Sequence, residues 1–557
     1  MASINSLPQL FRQSARAFAD TPAILTDAKT WTYAELNDAS DGIAAGLAAR
    51  GIAPGDRVGL YCPNGTDFVC CYLGILKAGA CAVPINLLLP PTAIAFALND
   101  AGAKALCFHA VFAEQSAAAL AEAPGVKLRI GIGPIARDAR DGDENHPIES
   151  QPTDGRPLTR APTDPSPKPG SNIDCLLEDL ITPDTQQPPP LALEIDPVKS
   201  PAVILYTSGT TGRPKGAVLT HANLAANATA VAQALGVRSG VDGDRFLVVL
   251  PMFHAFAATV GILTPLLTGA ALIPVPRFDP ALITDAIGTH RASIFLGVPS
   301  LYAVLLRLDA EQIARWRSVR LCISGGAAMP EAVMQAFEER FSVPILEGDG
   351  PTECGPVTCV NPPDGPRKPR SVGPPIPGVE MRIADPTGNE LPDGEHGEVC
   401  VRGPSVMRGY WQLPEETQAS FHGDWFRTGD LGWRDADGWF YLVDRIKDLI
   451  ISNGMNVYPR IIEEVLVRHP DVAEAAVVGE PHPLHGEIPV AYITAASEAA
   501  ALDTSALRDW CRPQLGRHEL PRRIERVDSL PKNAAGKILK RELRRSGEHE
   551  RGLMKQP

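Results

Sequence analysis

No stretch of this 557-residue chain is a basic stripe, and its formal net charge is −13, so nucleic acid is excluded as its main partner. None of its 11 cysteines shows the CxxC spacing of a zinc site, and apart from Cys70-Cys71 they are scattered singly. No secretory signal precedes them: the opening MASINSLPQLFRQSARAF lacks a long apolar core and reads as an amphipathic helix. Reduced thiols in a cytoplasm are expected, not a disulfide framework. An unbroken membrane span is also missing. The longest mostly apolar run, Ala257–Val275, is interrupted by Pro265, three threonines and two glycines, which predicts a buried helix and strand. At most, peripheral contact with the inner face of a membrane is left. With 44 % apolar residues, the chain is long enough for several domains with large cores.

What is present is organised around Tyr206–Gly216, YTSGTTGRPKG, which follows the short apolar run Ala202–Leu205. Thr207, Ser208, Thr210 and Thr211 supply hydroxyls, Gly209 is one of three glycines, and Lys215 is the cation. Glycines let a loop pass close to an anion. Backbone N–H groups and hydroxyls then wrap phosphate oxygens, and the lysine adds a point charge. No Gly-Lys-Ser/Thr closes the stretch, so it is not the P-loop of the common NTPases. A shorter cluster of these residues would be a turn. These eleven residues in this order resemble the phosphate loop of the adenylate-forming superfamily, which comprises acyl-CoA synthetases, luciferases and peptide-synthetase adenylation domains.

The rest of the chain can be tested against that resemblance. Up to about residue 130, strands such as Arg57–Tyr61 and Cys81–Pro84 alternate with helices such as Phe68–Ala78, which predicts a largely parallel sheet covered by helices. Residues 134–200 break the pattern. Eight prolines fall between Pro134 and Pro169 with hardly any apolar residue, so a flexible insertion is expected there. Thr220 caps a helix through Leu235. Gly, Asp and short apolar runs from Arg382 to Tyr441 predict a small antiparallel subdomain. Pro459 opens a helix with Ile461, Ile462, Val465 and Leu466 on one face and Glu463 and Glu464 outside.

Further motifs follow in the superfamily's order, and the resemblance implies a role for each. His254 and Phe256, in Pro251-Met252-Phe253-His254-Ala255-Phe256, border the acyl site, and His254 joins the catalytic set. No aspartate stands there to hold a substrate ammonium, which favours an uncharged acyl group. Gly325, Gly326 and Ala327 lie against adenine. Thr352 bonds a phosphate oxygen, and Glu353 holds Mg²⁺, a hard cation that prefers oxygen ligands. Asp349, beside Gly350, departs from the pattern, because the superfamily usually has an aromatic ring here that stacks on adenine. Asp349 either accepts a hydrogen bond from an adenine amino group or points away. Asp430 suits the ribose hydroxyls, Arg445 binds the nucleotide, and Lys447 is the hinge of a mobile lid. Gly454 lines the pantetheine tunnel of CoA-using relatives, and Lys537 is the catalytic lysine.

The resemblance implies an α/β protein: a large N-terminal domain of helix-flanked sheets with a β subdomain (residues 1–446) and a small mobile α+β C-terminal domain (residues 447–557). It implies ATP, Mg²⁺ and CoA as cofactor and co-substrates and a fatty acid as substrate. The rivals are an aryl or small-acid CoA ligase, an acyl-AMP ligase that loads a carrier protein, and a nucleotide-binding protein without catalysis. A dimer is compatible with all of these.

Overall fold

The computed structural model describes residues 5–134, 173–181, 194–207, 213–496, 503–532 and 538–544. Ser208, Gly209, Thr210 and Thr211 of the phosphate loop, Lys537, and most of the 134–200 stretch lie outside the described residues.

Continuous apolar strands set the architecture. Arg57–Tyr61 and Cys81–Pro84 are nearly wholly buried, as strands covered on both faces must be. They sit in an eight-stranded sheet whose order is Gly409–Tyr410, Lys215–Thr220, Pro201–Thr207, Cys81–Pro84, Arg57–Tyr61, Ala103–His109, Leu128–Ile132 and Cys175–Leu176. A second eight-stranded sheet runs Cys359–Val360, Ile345–Asp349, Leu321–Ser324, Ile294–Gly297, Arg245–Val248, Ala271–Pro274, Pro22–Leu25 and Thr30–Thr32. Helices Leu7–Ala17, Tyr33–Ala49, Thr66–Lys77 and His221–Ala234 share one core with residues of both sheets. Separate cores cover the outer faces. The result is alternating layers of helix and sheet. From Phe68 to Lys77 every residue of Thr66–Lys77 is buried, as an all-round apolar helix between two layers should be. Capping boxes at Thr32 with Glu35 and Thr220 with Asn223 fix two helix starts. All 11 cysteines are free and buried.

Part of the 134–200 stretch departs from the expected flexible insertion. Cys175–Leu176 is the edge strand of the first sheet, and Glu178–Ile181 is a helical turn on Tyr33–Ala49. The reason is the apolar set Ile173, Cys175, Leu177 and Leu180, all buried. Leu180 is seated so closely that a Cβ at Gly46 would come within 2.9 Å of its Cβ.

The antiparallel subdomain forms as expected from Glu380–Ala384, Gly397–Arg402, Trp425–Arg434, Phe421–His422 and Phe440–Arg445. The C-terminal unit has its own sheet, built on the hairpin of Val472–His482 and Gly486–Ala495, and its own core. Helix Pro459–Val467 buries Ile462, Val465 and Leu466, but Ile461 is exposed. Glu463 is turned inward, where it accepts from Val477 N at 2.7 Å and pairs with Lys540 at 2.8 Å. Its backbone and lysine partners draw the carboxylate in. Among the described residues no helix is long and apolar enough to cross a membrane.

Candidate active site

The phosphate-loop hairpin puts its two ends side by side. Thr207 closes one strand, Lys215 opens the next, and the two are cross-strand partners. Glu353 faces this point from the turn Thr352–Cys354. Its Oε1 accepts from the Tyr410 hydroxyl at 2.9 Å and lies 3.5 Å from Thr207 Oγ1. Lys215 pairs with Glu416, and its Nζ stands 5.2 Å from the centroid of the Tyr410 ring. Buried Asn227 braces the Glu353 turn: its amide donates to Val357 O at 2.7 Å and Cys354 O at 3.3 Å, and its Oδ1 accepts from Val357 N at 3.3 Å. Gly350 is needed for the same close packing, because a Cβ there would collide with the carbonyl oxygen of Pro356.

These groups fit a hard cation. Glu353 and Thr207 present only oxygens, with the Tyr410 hydroxyl bonded to Glu353 Oε1. Such a set suits Mg²⁺, which is commonly held by one or two carboxylates together with phosphate oxygens and water.

Asp430 and Arg445 are cross-strand partners in the β subdomain and form an ion pair at 2.7 Å. Arg445 also donates to Thr428 O at 3.2 Å. The Asp430 carboxylate raises Arg445 above the usual guanidinium range against the opposing effect of burial, and the charges of Asp349 and Glu353 add to this. Four of the predicted residues thus share one electrostatic field. Asp349 ends the strand Ile345–Asp349, and its carbonyl oxygen accepts from Thr358 N at 2.9 Å. Two residues earlier, Glu347 is buried. Its Oε1 accepts from Met329 N at 2.9 Å, which anchors the loop holding Gly325, Gly326 and Ala327, while Oε2 has no protein partner. Burial pushes the Glu347 carboxyl up to about 7.

On the other side the surroundings are apolar. A Cβ at Gly325 would sit 3.4 Å from the Phe256 ring and 3.6 Å from the carbonyl oxygen of Gly348. Gly326 takes φ +79°, a left-handed conformation that lets the loop turn back after its strand. Phe256 leads into Ala257–Leu263, a π-helical segment buried throughout. His254 precedes it, with Nδ1 accepting from Phe256 N at 3.4 Å. Asn64 fixes this turn from the other sheet: its amide donates to Leu250 O at 2.9 Å and Val275 O at 3.1 Å, and its Oδ1 accepts from Met252 N at 2.8 Å.

The C-terminal unit meets the body through helix Pro459–Val467, where Arg460 donates to Leu442 O at 2.6 Å and, through its backbone N, to Asp444 at 2.9 Å. Lys447 is exposed in the turn Ile446–Asp448. Gly454 stands apart from the cluster, in an exposed turn with φ +76° where a Cβ would meet nothing within 4 Å. The chain on either side of residues 533–537 is pinned by Lys532 to Glu474 at 2.5 Å and Lys540 to Glu463 at 2.8 Å.

Asn64, Asn227, Glu347, Tyr410 and Glu416 are absent from the sequence-based set. In the sequence Pro63-Asn64-Gly65 reads as a turn and Pro414-Glu415-Glu416 as a helix start, so neither advertises a long-range partner.

The AMP-binding enzyme family model matches residues 11–411, and the AMP-binding enzyme C-terminal domain model matches residues 461–537. The chain is similar to a feruloyl-CoA synthase of an Amycolatopsis species, 34 % identical over 532 residues that cover 95 % of this chain and 97 % of that protein. It is similar to a long-chain-fatty-acid–CoA ligase of Bacillus subtilis, 33 % identical over 545 residues, 97 % of this chain and 94 % of that one. The solved structure of an anthranilate CoA ligase in complex with anthranoyl-AMP superposes with a TM-score of 0.84 at 27 % identity, covering 98 % of each chain.

Proposed function

This chain belongs to the AMP-binding enzyme family, and from that premise we propose that it activates a fatty acid with ATP to the acyl adenylate and passes the acyl group to CoA. The coarser activity, that of an adenylate-forming acyl- or aryl-CoA ligase using ATP, Mg²⁺ and CoA, follows from the family and its relatives. One observation supports the fatty-acid reading: Phe256, which the resemblance puts at the acyl site, stands close to Gly325 and leads into the buried segment Ala257–Leu263, which contains no charged residue. Burying each methylene there would contribute about 0.8 kcal/mol.

In this reading the carboxylate attacks the α-phosphate of ATP and pyrophosphate leaves. Glu353 would hold Mg²⁺, whose charge would offset the negative charge that gathers on the phosphates. Thr207, Lys215 and Thr352 contact phosphate oxygens, together with Ser208, Gly209, Thr210 and Thr211. Asp430 takes the ribose hydroxyls and Arg445 orients the nucleotide. Gly325, Gly326, Ala327, Asp349 and Gly350 border adenine. The body ends near residue 446, the lid begins at Lys447, and rotation there exchanges Lys537, which serves adenylation, for Gly454, which serves thiol attack.

A second reading, an aryl-CoA ligase, is favoured by the aromatic Phe256 ring close to Gly325, which could border a planar acid, and by the feruloyl-CoA synthase similarity. Pyrophosphate release across a panel of carboxylic acids, with and without CoA, separates the readings. Faster turnover of fatty acids of about eight carbons or more is expected, because their additional methylenes can be buried. A preference for cinnamate-like acids promotes the aryl reading, and acid activation without CoA thioester points to a carrier-protein acceptor. Preference for amino acids or acetate sinks both.

A further inference from the structure

Tyr410 touches both charges at the mouth of the phosphate loop. Its hydroxyl donates to Glu353 Oε1 at 2.9 Å, while the Lys215 ammonium stands 5.2 Å from its ring centroid. Lys215 and Glu353 flank the same residue: Thr207 Oγ1 lies 3.5 Å from Glu353 Oε1 and 3.5 Å from the carbonyl oxygen of Lys215. Lys215 pairs with Glu416 and Glu353 accepts from Tyr410, so each of the two charges has its own partner here.

The segment carrying Tyr410 is firmly fixed. Gly409–Tyr410 extends the phosphate-loop sheet by pairing with Lys215–Thr220, Tyr410 opposite Ala217. Trp411 N donates to Gly216 O at 2.7 Å, and Met407 N donates to Glu353 O at 2.7 Å. Tyr410 N donates to Thr417 Oγ1 at 2.9 Å in the helix Pro414–Ala419, which also carries Glu416. Gly409 has φ +149°, and a Cβ there would come within 2.7 Å of Thr417 Cγ2, so only glycine lets helix and strand close up.

We propose that Tyr410 and Glu416 are positioning residues for the adenylation step. Tyr410 engages Oε1 of Glu353, which would leave Oε2 for the metal, and Glu416 holds Lys215 until a phosphate would take its place. The proposal rests on the functional reading above, in which Glu353 is the metal carboxylate and Lys215 a phosphate ligand. The charge pattern is that of an outer-shell hydrogen bond orienting a metal ligand, joined to a carboxylate that the nucleotide displaces from its lysine.

The test is Mn²⁺ and ATP binding without turnover. Electron paramagnetic resonance titration of Mn²⁺ into the ATP complex of full-length Tyr410→Phe should give a dissociation constant about ten- to a hundredfold weaker than wild type, as for loss of other outer-shell partners. ATP binding without metal should be unchanged. Glu416→Gln, at a half-exposed side chain, should tighten metal-free ATP binding several-fold and leave Mn²⁺ affinity alone. Thioester formation from supplied acyl-AMP should be unaffected in both. If Tyr410→Phe holds Mn²⁺ as wild type does, the Tyr410 role is overturned. Glu416→Gln that weakens ATP binding overturns the other half, even if Tyr410→Phe does not fold. Wild-type protein that binds neither Mn²⁺–ATP nor ATP overturns the functional reading itself.

Discussion

Around Lys215, Glu353 and Asp430 each charge is held by a named partner, whereas Phe256 borders glycine backbone and a buried apolar helix. If the polar side is the nucleotide site, as proposed, its dipoles and charges are arranged in advance, the condition under which electrostatic stabilisation of a transition state is strongest. The apolar side offers shape alone. Changes on the first side should therefore slow every acid alike. Changes on the second should alter which acid is used.

The sharpest way to break this contrast is Glu353→Ala. Adenylation of every acid should fall by about 10²–10³-fold, the scale seen when one preorganised stabiliser is removed, with the melting temperature held. Near-normal pyrophosphate release from a folded variant would remove Glu353 from the metal site. Glu347 lies between the two sides and tests stability instead of rate. Its folded carboxyl is pushed up to about 7 from an ordinary 4.5, so the folded state binds the extra proton in that window. The stability this contributes is complete below pH 4.5 and is lost as pH rises through about 7, a change of about 3 kcal/mol. Glu347→Gln keeps an acceptor for Met329 N and should unfold at a higher denaturant concentration than wild type at pH 8, with the slope between pH 4.5 and 7 flattened. Parallel pH–stability curves for the two proteins would show that the carboxyl titrates normally.

On the apolar side, Phe256→Ala should shift preference towards longer or bulkier acids while changing ATP affinity little. Each methylene newly accommodated is worth about 0.8 kcal/mol, or about fourfold in kcat/KM. An equal loss for all acids would place Phe256 with the polar side. The smallest effect is expected for Asp349→Tyr, which should retain or modestly improve ATP affinity because a ring there can stack on adenine, by about 1 kcal/mol at most. A large loss measured by calorimetry would mean that Asp349 makes a specific polar contact.

The same contrast explains what could be read in advance. Short runs that resemble the superfamily's motifs picked out Thr207, Lys215, Glu353 and Asp430, and the fold sets Thr207 beside both Lys215 and Glu353. Strands such as Arg57–Tyr61 and Cys81–Pro84 were equally plain, because a strand buried on both faces has nothing but apolar residues to show. Asn64, Asn227 and Glu347 were not, since each bonds backbone atoms distant in sequence or hidden by a loop, and any polar residue in a turn looks the same until the partner is known. Glu463 misled for a related reason: its periodicity points outward, but Val477 N and Lys540 draw it in. The edge strand at Cys175–Leu176 was masked by its proline-rich neighbourhood.

Because all 11 cysteines are buried, the folded protein carries its own opening reporters. A thiol reagent can reach them only through motion of the surrounding structure, so alkylation times the opening of each region without any engineered probe. Cys354 follows Glu353 directly, whereas Cys511 lies in the core of the C-terminal unit, so peptide mapping after brief alkylation would report the two regions separately. A nucleotide that braces the Glu353 turn should protect Cys354 first, a chemical clock for site closure that is independent of which acid the enzyme uses.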